Sequence, residues 1–165
     1  MRAIVVYESH WGNTAQVARA IADGIGPEAQ VLNTDEATPE IVAGADLVVA
    51  GSPIMAFGLP SDMMVANAGK DPKAPRPADV SHPSLRHWLE TLPTSHAAAA
   101  SFETKLRWSP GGATGAIDER FQRAGFRTIA TGQKFWVEGS YGPLREGEIE
   151  RARTWGTELA AAVLR

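Results

Sequence analysis

The stretch Ile4-Val5-Val6-Tyr7-Glu8-Ser9-His10-Trp11-Gly12-Asn13-Thr14 decides the fold, because an apolar run breaks into hydroxyls, an amide and a glycine where a helical pattern begins. A strand that feeds a tight loop at a helix start turns backbone N–H groups toward one point. Those unpaired donors and the helix dipole both favour an anion there. No Lys or Arg lies between residues 3 and 18, and neither G-x-x-x-x-G-K-[ST] nor G-x-G-x-x-G follows the strand. A triphosphate loop and a pyrophosphate cradle are therefore disfavoured. One phosphomonoester, held by neutral donors, fits the loop best.

Outward from this stretch, Thr14, Val17, Ala18, Ile21 and Ile25 fall at helical spacing, and Gly24, Gly26 and Pro27 end that helix. A short strand near Ala29 to Leu32 follows, then a brief helix opening at Thr38-Pro39. Ala45 to Gly51 reads as a strand buried on both faces, and its end at Gly51-Ser52-Pro53 is a second candidate ligand loop. Pro83 to Leu92 suits a helix, Ala97 to Phe102 a fourth strand, and Ala113, Ile117, Phe121 and Ala124 share a helical face. Phe126 to Thr131 predicts a fifth strand continuing toward Val137, and Ile149 to Val163 a final helix.

This alternation predicts an α/β domain: a three-layer, doubly wound, five-stranded parallel sheet with helices on both faces. The segment from Phe57 to His82 is too long for a plain connector, and Lys70 to Pro77 resists both helix and sheet. It is expected to be an exposed flap, whose Met63 and Met64 anchor its start on the protein body or, as the alternative, edge a cofactor cleft.

The 165 residues suit one domain over 1–165. A formal charge of -3 gives no basic footprint for nucleic acid. Cysteine is absent, so any redox chemistry has to reside in a bound organic cofactor. His10, His82, His87 and His96 are too widely spread to suggest a metal set, and no G-x-S-x-G elbow is present. No apolar run approaches the ~18 residues of a membrane span and no leader pattern opens the chain, so a cytoplasmic protein is expected.

The pattern Val5-Val6-Tyr7-x-Ser9-x-x-Gly12-x-Thr14-x-x-x-Ala18-x-x-Ile21 resembles the FMN phosphate-binding signature of the flavodoxin family. That resemblance implies FMN as cofactor, a sheet in the order 2-1-3-4-5, and Ser9, His10, Trp11, Gly12, Asn13 and Thr14 around the phosphate. It places Ser52, Pro53, Ile54, Phe57 and Gly58 in one loop walling the flavin ring, with Gly58 either a plain turn glycine or the peptide that turns toward flavin N5. Phe102, Thr104 and Trp108 belong to the second wall. The first wall lacks the Trp-Gly-Asp-Gly common in the family, and the second lacks its acidic, Tyr-containing stretch.

The activity implied is electron transfer between redox partner proteins, a reductase and an acceptor, with no residue acting as acid or base. An FMN-dependent oxidoreductase is the alternative, with a small-molecule acceptor in a pocket under the flap. A non-flavin binding or regulatory module is the third. A phosphate met only by neutral donors would also leave its charge to act on the ring and make reduction harder.

Overall fold

Val5 and Val6 have no exposed surface, and the strand they belong to is flanked on both edges, as a buried apolar run requires. The structure, a computed structural model, describes residues 1–165. In chain order its elements are β1 (Ala3–Tyr7), α1 (Asn13–Ile25), β2 (Gln30–Asn33), α2 (Pro39–Ala43), β3 (Leu47–Pro53), α3 (Asp62–Ala68), α4 (Leu85–Leu89), β4 (Ala98–Leu106), α5 (Thr114–Arg123), β5 (Arg127–Thr128), β6 (Gln133–Val137) and α6 (Glu148–Val163). The sheet runs β2-β1-β3-β4-β5, all parallel, as the flavodoxin-like fold requires, and β6 also pairs with β4 in parallel.

Alternate strand residues feed two cores, one on each face. Val5, Leu47, Val49, Ala100 and Phe102 pack with α1 and α6, whereas Val6, Val48, Ala50 and Ala99 pack with α4 and α5. The first layer is held at close range by two glycines. A Cβ on Gly24 would lie 1.9 Å from the Arg153 carbonyl oxygen, and one on Gly156 would lie 2.1 Å from that of Ile21. Backbone therefore meets backbone where α1 crosses α6.

Three expectations change. The fifth strand is two pieces: Ala99 faces Thr128 and Phe102 faces Gln133, so three steps along β4 oppose five along the edge and two residues are extruded. The sheet thus has six strands. The fourth strand runs on to Leu106, which carries Glu103, Thr104 and Lys105 inside the sheet rather than in a loop. The flap is not wholly irregular either, since Ser61 caps α3 by accepting from the Met64 N–H at 3.3 Å. Met63 is 74% exposed and does not anchor the flap. No helix is long and apolar enough to cross a membrane.

Candidate functional site

The loop between β1 and α1 ends at Gly12, in the left-handed region at φ 98°. The Ser9 N–H donates to His82 Nε2 at 3.3 Å and the Gly12 N–H to Ser9 Oγ at 3.1 Å. The N–H groups of His10, Trp11, Asn13, Thr14 and Ala15 meet no protein acceptor, so five main-chain donors at one helix start are left for a ligand or water. Thr14 Oγ1 lies 2.8 Å from Thr104 Oγ1, a buried pair that shares one proton and keeps the second to donate. Beneath the loop, the Glu8 carboxylate accepts from the Leu85 N–H at 2.7 Å and meets His10 Nε2 at 2.7 Å, which fixes the imidazole.

A cavity of about 570 Å³ opens beside these donors, at the carboxyl ends of β1, β3 and β4. That is the crevice where neighbouring crossovers leave in opposite directions, on the side where open α/β sheets bind ligands. Ser9, His10, Trp11, Asn13 and Thr14 line one end, and Pro53 to Ala56 and Thr104 to Leu106 line the flanks. Met64, Asn67, Ala68 and Asp71 of the flap, with Tyr141 after β6, close it from above. Of these, Met64 takes the cleft-edging place that was the alternative to anchoring, whereas Asn67, Ala68, Asp71 and Tyr141 were not singled out from the sequence. The only trace they left was an aromatic in the turn-rich Gly139-Ser140-Tyr141-Gly142-Pro143 run.

The flap also supplies a cation. Arg76 donates to the Trp11 carbonyl at 2.6 Å and Trp11 Nε1 returns a bond to the Arg76 carbonyl at 3.0 Å. The loop is free of cations in its own sequence but not in space, because chain folding brings Arg76 across 65 residues. Lys105 is a second cation, buried at the cavity wall with Nζ 2.8 Å from the Gly111 carbonyl. Tyr141 stacks edge-on against Trp11 at 4.7 Å and hydrogen-bonds Asp71. That hydroxyl holds the Asp71 carboxyl below its ordinary pKa, and the bond to Asp71 raises the Tyr141 phenol.

Several expected contacts are not assembled. Phe102 is fully buried between Phe135 and the backbone of Gly51, where a Cβ would come within 2.2 Å of its ring. It is a core residue. Phe57 and Trp108 are 68% and 79% exposed and stand outside the cavity. Gly58 exchanges both backbone bonds with Met55 across a tight turn, and the left-handed residues there are Ala56 (φ 46°) and Phe57 (φ 76°). Ser52 is buried and satisfied by its own neighbour's carbonyl at 2.9 Å, so Pro53 and Ile54 carry the first wall. Glu103 turns to the other face, where it accepts from Ala113 N–H at 2.9 Å and Thr114 N–H at 3.1 Å to cap α5.

Sheet order and the β1–α1 loop together define the class: the chain has the flavodoxin-like fold. Among solved structures it is similar to a flavodoxin from the domain Archaea, at 21% identity and TM-score 0.71 over 100% of both chains. It is also similar to oxidised Flavodoxin 2 from Bacillus cereus, at 16% identity and TM-score 0.65 over 99% of this chain and 98% of that one. Rubredoxin oxygen:oxidoreductase from Desulfovibrio gigas matches at 17% identity and TM-score 0.68, over 99% of this chain and 36% of the larger protein. No protein-family model and no curated protein sequence matches the chain.

Proposed function

We propose that the protein binds FMN and passes electrons between redox partners. The observation that carries this reading is the set of five main-chain N–H groups without protein acceptors, four of them on residues that line a cavity at the carboxyl edge of the sheet. Hydrogen bonds to a charged partner contribute about 1.5 to 3 kcal/mol each, so five of them supply on the order of 10 kcal/mol before ordering costs. Those donors and the hydroxyl pair Thr14–Thr104 would hold the phosphate, and the segments Pro53–Ala56 and Thr104–Leu106 would flank the ring. FMN, when bound, supplies one- and two-electron chemistry that no side chain of this cysteine-free chain provides. Trp11, Tyr141 and the flap would keep water from the cavity, and Lys105 would place positive charge beside it.

A specific observation favours the second reading, an FMN-dependent oxidoreductase. Met64, Asn67 and Ala68 of the flap line the cavity, so the flap shapes a pocket as well as covering one. The purified protein is expected to show a flavin absorption band and to release equimolar FMN on denaturation. Colourless protein that refuses added FMN would leave the non-flavin module in its place. Steady turnover of NAD(P)H or a quinone would select the enzyme over the carrier.

A further inference from the structure

Three residues at the far end of the flap grip three consecutive residues of the anion loop. His82 Nε2 accepts from the Ser9 N–H at 3.3 Å, the Asp79 N–H donates to the His10 carbonyl at 2.9 Å, and Arg76 donates to the Trp11 carbonyl at 2.6 Å. In a planar trans peptide the C=O and the following N–H point in opposite directions. Drawing the His10 and Trp11 carbonyls out to the flap therefore turns the Trp11 and Gly12 N–H groups the other way. The Trp11 N–H then has no protein acceptor, and that of Gly12 reaches Ser9 Oγ.

We propose that Arg76 to His82 form a clamp that pre-shapes the anion loop, with His82 as a positioning residue that makes phosphate binding acid-sensitive. The proposal rests on reading the loop as a phosphate site, and does not require that the phosphate belong to a flavin.

His82 accepts at Nε2 only while that atom is unprotonated, so Nδ1 carries the hydrogen. Nδ1 is buried without a hydrogen-bond partner, 3.9 Å from an Asp79 carboxylate oxygen, and the side chain is 2% exposed. Burial pushes the imidazole below its ordinary pKa; Asp79, Glu8 and Asp35 oppose that and His10 adds to it. The remaining neighbours are the His10 ring, stacked at 6.5 Å, and Tyr7 of β1, edge-on at 6.3 Å. The clamp bond thus persists at neutral pH and is lost in acid, when Nε2 takes a proton.

The test is calorimetric titration of the wild type, His82→Gln and Arg76→Met with FMN, and separately with inorganic phosphate, from pH about 8 to about 4, a range that extends well below the ordinary histidine pKa. The Gln amide oxygen takes the Ser9 N–H without titrating. Wild-type affinity is expected to fall up to about tenfold per pH unit once His82 protonates, on top of the phosphate's own second ionisation near pH ~6. His82→Gln should keep neutral-pH affinity and lose only the His82 limb. Arg76 is exposed, so Arg76→Met leaves the core intact; it should weaken binding about tenfold at every pH.

Superimposable profiles for wild type and His82→Gln, or undiminished binding by Arg76→Met, would overturn the clamp. Wild type that binds phosphate with these signatures but not FMN would leave the clamp standing and remove the flavin. FMN binding with coincident profiles would do the reverse. Binding of neither would overturn both.

Discussion

Lys105 sits at the cavity wall with a carbonyl as its hydrogen-bond partner and no carboxylate within ion-pair distance, so its charge is felt inside the cavity. At ~10 Å and an effective dielectric of ~20, one unit charge is worth about 1.7 kcal/mol, on the order of 70 mV. Lys105→Met is therefore expected to lower the potential of bound FMN by tens of millivolts in a potentiometric titration, and an unchanged potential would place the ammonium out of reach of the ring. Glu148 gives a second test. Burial acts to raise its carboxyl, but bonds from Arg151 and from the Trp136 N–H outweigh that and hold it below the ordinary value. A depressed folded-state pKa stabilises above the unfolded value, about 4.3, and the contribution is lost as pH falls through the folded one. Glu148→Gln should lose about 1 kcal/mol at neutral pH, since Arg151 is partly solvated, and flatten the acid limb of the urea midpoint.

Ser9, Asn13 and Thr14, whose types match the donors an anion needs, were legible as far as their place at the cavity. Phe102 was misplaced because an aromatic beside a strand end looks alike whether it faces a cleft or a core. The gap above Gly51 that decides the matter lies on the neighbouring strand. Glu103 and Arg76 found their roles only when folding brought α5 to the one and the β1–α1 loop to the other.

At the scale of elements, the α1–α6 crossing is the most sensitive joint. Gly156→Ala would drive a methyl into the Ile21 carbonyl, and an overpacked contact costs about 1 to 3 kcal/mol, a drop that urea denaturation resolves. Gly115 in α5 faces open space, so Gly115→Ala should instead stabilise by about 0.5 to 1 kcal/mol. Equal effects of the two would contradict the packing. Helices and inner strands were legible here because their periodicity runs over many residues. The split between β5 and β6 was not, because a two-residue extrusion within Ile129-Ala130-Thr131-Gly132 depends on how β4 pairs on either side of it and no proline marks it in the sequence. α3 was lost among prolines and glycines that belong to the chain after it.

For the whole molecule, alternation of strands and helices pointed to the parallel sheet, and the sheet brings the ends of β1, β3 and β4 together around one cavity. The flap covers that cavity, as its length suggested, and also does what no local pattern announced: it ties down the loop that opens the cavity. The central claim is that main-chain N–H groups between Ser9 and Ala15 hold a phosphomonoester. Affinities of the cofactor-free protein for FMN and for riboflavin, which differ only in that phosphate, test it most directly by flavin fluorescence quenching. FMN is expected to bind at least about a thousandfold more tightly, the equivalent of two or three charge-assisted hydrogen bonds. Equal affinities would contradict the account.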